Sequence, residues 1–465
     1  MAQRIYAYDA DRQGYVREQP AAADRGLPMG SIRAQGVQGD ATWLGAFDRS
    51  ARDLVRVASA VLAADRLSMR HTLGAKGIQR ELEWQRAIDL RMCVEDVDRW
   101  NSVSSDLAAL LHFMTDDDWN LSFVSAGPVA VQQTLFPGDI RDVAEVALFS
   151  GGLDSVLGTY VRGQQLKGKI LAVSACGTDV RGRAQADALE CLRTLGVSTR
   201  WLRLENQLRN KQRTRRKMEP SQRSRSLLFL AMGAAVASSL GLETFQTYET
   251  GIGCLNLPLS AGQVGSQGTK AMHPFTLQSV NALFRALLDR PVRVTAPFFF
   301  ITKGQLCRSA GVALEPLSSV STSCDEGEGH KANSMEHCGV CTSCLFRRIA
   351  IAAATPGKDP TRYRDFSSSK HGEYELRLFE QHARALARCR GFDDLVSLDP
   401  DVRYAAAPPV EPAVPAQEAQ ERTFAAFRTY AREISDFLST ARPILQPRPV
   451  RTRKEEHNDL FAAVG

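Results

Sequence analysis

Apolar positions in the first third of the chain change their period along its length. Leu54, Val55, Ala58, Val61 and Leu62 recur at helical spacing, which predicts a helix with one face in a core. Ile88, Leu90, Met92 and Val94 then alternate with Asp89, Arg91 and Cys93, the period of a half-buried strand. A second helix is expected through residues 107–114, and a strand near 121–124. The acidic run Asp116, Asp117 and Asp118 reads as a solvated turn rather than a metal site, because no other ligand cluster lies nearby. Residues 1–140 together read as a small α+β domain.

From Glu145 the pattern becomes strand and helix in alternation. Residues 146–149 form a short buried-strand run that ends at Ser150-Gly151-Gly152-Leu153-Asp154-Ser155, and a helical pattern continues through Leu166. Residues 170–174 read as a second strand and 184–194 as a second helix. Such alternation predicts a parallel sheet with helices on both faces, which binds ligands at the C-terminal ends of its strands. This region is taken as 141–355. The remainder, 356–465, reads as a helical extension. Its Pro- and Ala-rich stretch 405–417 looks like a semi-rigid linker or surface segment. Phe424, Phe427, Ile434 and Leu438 mark a last amphipathic helix, and the basic, Pro-interrupted stretch 442–454 reads as a mobile tail or partner-docking segment.

Composition narrows the classes. The 465 residues are 44% hydrophobic and 24% charged, enough for a sizeable core and two or three domains. Disordered, collagen-like and small disulfide-stapled proteins are excluded. A net charge of +6, from 58 basic and 52 acidic residues, gives no argument for a nucleic-acid partner. No run approaches the roughly 20 apolar residues of a bilayer span, and the first residues lack the apolar core of a secretory signal. The expectation is a soluble, cytoplasmic protein without a membrane partner. In a reducing compartment its ten cysteines point to metal binding or burial.

The loop 150–155 lies where an anion site belongs, between a strand and a helix. Glycines let backbone wrap closely around phosphate oxygens, while the helix start aims free N–H groups and its dipole at the same anion. Ser150 and Ser155 add hydroxyl donors, and Asp154 suits orienting the loop or helping to hold Mg²⁺. The Gly-Lys-Ser/Thr of a Walker loop is missing. The plainer alternative is a Ser/Gly turn capped by Asp at a helix start. This hexapeptide resembles the signature of PP-loop ATP pyrophosphatases, which split ATP between its α and β phosphates.

Cys324, Cys338, Cys341 and Cys344 follow a C-x13-C-x2-C-x2-C pattern. Four thiolates at this spacing suit a closed, structural zinc site; disulfides and an iron–sulfur cluster are the alternatives. His330 and His337, within the long gap, read as bystanders.

The loop followed by Ser323-Cys324 and Cys338-Gly339-Val340-Cys341-Thr342-Ser343-Cys344-Leu345-Phe346-Arg347 resembles the QueC family of 7-cyano-7-deazaguanine synthases. Arg225-Ser226-Leu227-Leu228-Phe229 is similar to the family's Arg-Asn-x-x-Phe, with Ser replacing Asn, and Lys303 stands where the family carries a lysine. The resemblance covers roughly residues 145–350. It implies a PP-loop α/β fold, and ATP, Mg²⁺ and structural Zn²⁺ as cofactors. It further implies adenylation of a 7-carboxy-7-deazaguanine-type carboxylate, followed by attack of ammonia to give amide and then nitrile. On the matching positions, Ser150, Gly151, Gly152, Leu153, Asp154, Ser155 and Arg225 would bind ATP, with Asp154, Ser155 and Lys303 catalytic.

Other stretches depart from that pattern. Residues 174–179 replace an Asp-Tyr-Gly-Gln stretch, and Cys176 there reads as a small buried strand-end residue rather than a nucleophile. The stretches 248–251, 256–259, 268–270 and 273–274 resemble a QueC-like subgroup that occurs with bacterial anti-phage defence genes. Within them Glu249 suits the N–H edge of a guanine-like base, and Lys270 and His273 suit phosphate or the substrate carboxylate; surface polar groups are the alternative. From Arg209 to Arg225, both included, there are eight basic residues and one acidic residue, Glu219, either a solvated helix face or a cover for phosphates. The flanking regions raise the prospect of a protein or nucleic-acid amine as acceptor and of defence-system partner proteins. A nucleotide-binding scaffold without turnover, or another PP-loop chemistry such as tRNA modification, are the competing classes.

Overall fold

The computed structural model describes residues 3–8, 25–28, 33–35, 47–68, 72–73, 79–80, 85–126, 140, 142–176, 179–205, 219, 223–259, 269–324, 336–364 and 370–445. The chain opens with strands β1 (Gln3–Tyr8), β2 (Arg25–Pro28) and β3 (Arg33–Gln35), then the long helix α1 (Arg49–Leu67). Asp48 starts that helix by accepting from the Ala51 amide at 2.8 Å, satisfying one of its orphan donors. A two-stranded ribbon of β4 (Thr72–Leu73) and β5 (Gln79–Arg80) precedes β6 (Ala87–Val94), α2 (Val97–Ser102), α3 (Ser104–Thr115) and β7 (Asp118–Ser125).

Strands β2, β1, β6 and β7 make one sheet in that order, and every pairing in it is parallel. The register sets Ile88 beside Trp119, Leu90 beside Leu121 and Met92 beside Phe123, so the buried residues of β6 and β7 share a face. The region expected as an α+β domain carries a parallel sheet. Helices carry the chain from β1 to β6 and from β6 to β7, and such crossovers return it parallel.

The second sheet holds β8 (Glu145–Leu148), β9 (Ile170–Cys176), β10 (Arg200–Glu205), β11 (Thr244–Gln246) and β12 (Arg293–Thr295) in the order β12-β11-β8-β9-β10, all parallel, with β3 added antiparallel at the β10 edge. Its helices are α4 (Leu153–Gln165), α5 (Asp179–Thr194), α6 (Arg225–Ser239), α7 (Gly251–Leu255) and α8 (Pro274–Leu287). From β8 the chain adds strands first on one side and then on the other. A switch point therefore lies between the C-terminal ends of β8 and β11, the place where open α/β sheets bind ligands.

Helices α9 (Lys303–Ala310), α10 (Leu314–Val320), α11 (Thr342–Ala354), α12 (Lys370–Arg388), α13 (Phe392–Leu398) and α14 (Ala416–Leu445) complete the chain. The stretch 405–417, expected as a semi-rigid linker or surface segment, is largely exposed from residue 411 on and anchored at its start. Val402 and Ala405, in a 3-10 turn over Pro400–Ala406, are buried, and the Pro409 carbonyl accepts from the Ala296 amide just past β12. Helix α14 runs through Arg442 to Leu445, and the rest of the expected basic tail lies outside the described residues.

One apolar cluster runs from Leu54 and Val61 through Leu230 and Phe245 to Phe379 and Phe427, so the regions before and after the second sheet share a core with it. Nor is the acidic run 116–118 a solvated turn. Asp117 is fully buried and holds Arg86, which also reaches Asp65, while Asp116 pairs with Arg223 at 2.7 Å. Buried charges of this kind persist only when paired. Among the described residues no helix is long and apolar enough to cross a membrane.

Candidate active site

Strand β8 delivers the loop 150–155 directly to the switch point. Phe149 closes the strand by donating to the Val173 carbonyl, and Gly151 turns the chain at φ +79°, a conformation that side chains disfavour. Gln185 on α5 steadies the turn through the carbonyls of Phe149 and Ser150, and the Thr322 amide donates to the Gly151 carbonyl at 2.9 Å. Ser155 donates to the Gly152 carbonyl at 2.9 Å, with Ser150 beside it at 3.2 Å. The first turn of α4 then lines a cavity of about 580 Å³. Its other walls carry the apolar Phe149, Val173, Phe229 and Met232, and Arg223, Arg225 and Lys303 among the charged groups. Apolar walls beside a glycine loop and cations suit a nucleotide: a flat base in one part, phosphates in the other.

Asp154 and Lys303 meet across the cavity at 3.1 Å, although they come from α4 and α9. Thr302 caps α9, accepting from the Gln305 amide while Gln305 reaches back to the Thr302 amide. Burial works against the Lys303 charge, but Asp154 and Glu249 outweigh it and hold the ammonium above its ordinary range. Glu249, after β11, is pushed up to about 8, first by burial and then by the Asp154 charge, with Lys303 opposing. Near neutral pH Glu249 therefore carries a proton. Beside the Lys303 ammonium, the protonated Glu249 acid supplies Asp154 with a second donor. Gly253 makes room for this group, since a Cβ there would stand 2.0 Å from Glu249 Oε1.

The four-cysteine cluster borders the same rim. All four Sγ atoms lie within 4.8 Å of one another, and Cys338 and Cys344 are 3.8 Å apart. Zinc–thiolate bonds of roughly 2.3 Å in a tetrahedron need sulfurs about 3.8 Å apart, so the set fits zinc. Amides of Cys338 and Cys341 donate to the sulfurs of Cys324 and Cys338, as thiolate ligands require. His337 spends Nε2 on the Ser323 amide and stays outside the cluster, as expected of a bystander; His330 lies outside the described residues.

The structure thus brings together Ser150, Gly152, Leu153, Asp154, Ser155, Arg225, Glu249 and Lys303 around one cavity, with Gly151 at its turn. Lys270 and His273 stand apart from it. Lys270 pairs with Asp401 at 3.1 Å and sits over the Phe113 ring, while buried His273 caps α8 by accepting from the Phe275 amide. Neither lines the cavity that holds the phosphate loop. The neighbouring Thr269, Ala271 and Met272 line the cavity instead. Cys176 ends β9, with its side chain outside the description; most of the basic run 209–225 is likewise outside it. Sequence reasoning missed Gln185, Thr322 and Ser323, whose roles depend on where distant loops fold, and only Ser323 carried a signal, through its cysteine neighbour.

A parallel sheet, a Ser-Gly-Gly loop at its switch point and a four-cysteine cluster at the rim define a PP-loop, ATP-binding α/β domain. Residues 144–355 match the family model of the queuosine biosynthesis protein QueC, so this part of the chain is QueC-like. No curated protein matches the chain.

Proposed function

We propose that the protein adenylates the carboxylate of a 7-carboxy-7-deazaguanine-type substrate for attack by an amine. The observation that carries this reading is the Asp154–Lys303 pair, held 3.1 Å apart at the mouth of the phosphate loop. A carboxylate oxygen is a poor leaving group. Attack of the substrate carboxylate on the α-phosphorus of ATP forms an acyl-adenylate and expels pyrophosphate. An amine then adds to the acyl carbon and displaces AMP, giving the amide and one proton.

The loop amides and Ser150 and Ser155 bind phosphate oxygens, and Arg225 joins them from the start of α6. Lys303 steadies the charge that gathers on the α-phosphate, and Asp154 fixes Lys303. Asp154, a carboxylate on the cavity wall in the first turn of α4, is the residue suited to hold Mg²⁺; that ion would offset charge on the departing pyrophosphate. Zinc at Cys324, Cys338, Cys341 and Cys344 would be structural, since four thiolates leave no open position. Ammonia is one acceptor; the regions outside residues 144–355 make a larger amine, on a protein or nucleic acid, the other. A cytoplasmic setting, and one in anti-phage defence, belong to the same proposal.

The test follows AMP and pyrophosphate from Mg-ATP with 7-carboxy-7-deazaguanine, with and without ammonia, while recording product masses. Substrate-dependent AMP with a free amide, free nitrile or covalent adduct supports the reading. Failure to form AMP under every condition would falsify it.

A further inference from the structure

A second cavity of about 670 Å³ joins the first at Lys303 and Glu249, which line both. Its far wall comes from outside the QueC-matched segment: Glu375 on α12, and Tyr430 and Glu433 on α14. The charge of this space differs from that of the first. Glu249, Glu375 and Glu433 line it, and its one lining cation among the described residues, Lys303, already faces Asp154. Phosphates do not belong in such a place.

Two polar groups here lack partners at depth. The Tyr430 hydroxyl and Thr250 Oγ1 are buried without a hydrogen bond, on residues 4% and 0% exposed. Leaving such groups unpaired is unfavourable, a cost that a bound ligand would remove. Glu375 commits Oε2 to the Thr342 hydroxyl, and Glu433 commits Oε1 to Thr302 and Arg308, so both carboxylates are held in place. Leu257, Pro258, Leu259 and Phe346 supply apolar surface around them. Ammonia is far too small to fill this volume, given that a water molecule claims about 30 Å³.

We infer that the second cavity seats the acyl substrate, a flat heterocyclic carboxylate rich in N–H donors, with Glu375, Tyr430 and Glu433 reading its donor edge. This inference rests on the adenylation reading above. Its apolar faces pack on the leucines and Phe346, carboxylates accept from its ring and exocyclic N–H groups, and the Tyr430 hydroxyl donates to its ring carbonyl. The substrate carboxylate then lies at the seam, beside Lys303 and the α-phosphate. The C-terminal helices thus become specificity elements of the site rather than an appendage.

Calorimetric binding of 7-carboxy-7-deazaguanine to the full chain, without turnover, tests this, with ATP binding measured in parallel. Tyr430→Phe and Glu375→Gln are each expected to weaken the heterocycle about tenfold or more and leave ATP affinity unchanged, the loss of one hydrogen bond to a polar or charged group. No binding to the unaltered protein, variants that bind as it does, or variants that lose ATP in parallel each overturn the assignment. The adenylation reading fails separately. Heterocycle binding lost in the variants, with no AMP ever formed, removes the reaction and keeps the cavity; AMP formation with unaltered variant affinities does the reverse.

Discussion

Asp154 is the residue on which chemistry and stability separate most cleanly. It is buried at the first turn of α4, and its oxygens are engaged by Lys303 and Glu249, which line the same cavity. Asp154→Asn keeps the volume and removes the charge. AMP formation is expected to fall by about 10²–10³, the usual loss when one preorganised electrostatic group leaves a site, with melting temperature and zinc content unchanged. A large drop in melting temperature would make the residue structural instead. Glu249 yields a prediction in pH. Its folded pKa of about 8 lies above the ordinary 4.5, so the folded state holds an extra proton between those values. Stability therefore falls as pH rises from about 4.5 to 8 and levels off above, the reverse of an ordinary salt-bridged carboxylate. Glu249→Gln, which mimics the protonated acid, is expected to flatten that fall in chemical denaturation. The same variant should also remove the decline in AMP formation near pH 8.

At the scale of elements, the cysteine cluster and the phosphate loop are one mechanical unit. Cys341 starts α11, and buried Arg347, one turn beyond Cys344, holds Ser318, Ser321 and Ser323 by hydrogen bonds. That strand of contacts leads to Thr322, whose amide ties Gly151. Cys344→Ala, or removal of zinc by a chelator, is expected to lower the melting temperature by several degrees and to weaken ATP binding, because metal binding and local folding share one free energy. Zinc loss with ATP affinity intact would break this link. Elements written in local spacing were legible in advance: the alternation from Ile88 to Val94, the loop 150–155 and the cysteine pattern each carry their own geometry. Those that depend on distant partners were not. The stretch 405–417 has a linker's composition but is docked past β12, and the side chains of Lys270 and His273 point where Asp401 and α8 take them. The second cavity was invisible too, since its walls come from helices far apart in sequence.

On the scale of the whole molecule, the N-terminal sheet reaches the nucleotide site through buried charge. Arg86 bridges Asp65 and Asp117 and donates to the carbonyls of Asp65 and Ser68; Asp65 in turn accepts from the Ser224 hydroxyl at 2.7 Å and from its amide. Ser224 is the N-cap of α6 and stands between Arg223 and Arg225, two of the cations that line the first cavity. Asp65 is thus anchored on both sides of the boundary between the QueC-like segment and the region before it. Arg86→Ala leaves two buried carboxylates unpaired and is expected to cost about 3–5 kcal/mol. By contrast, Arg99→Ala breaks the exposed pair with Asp289 across α2 and α8, for about 1 kcal/mol or less. Asp65→Asn tests the connection more sharply, because it keeps the hydrogen-bonding shape while weakening the hold on Ser224. ATP affinity measured on that variant should fall several-fold with the fold intact by circular dichroism. An unchanged affinity would mean that the N-terminal sheet stabilises the α1–α6 interface without setting the geometry of the cations, and that the two regions are joined in packing alone.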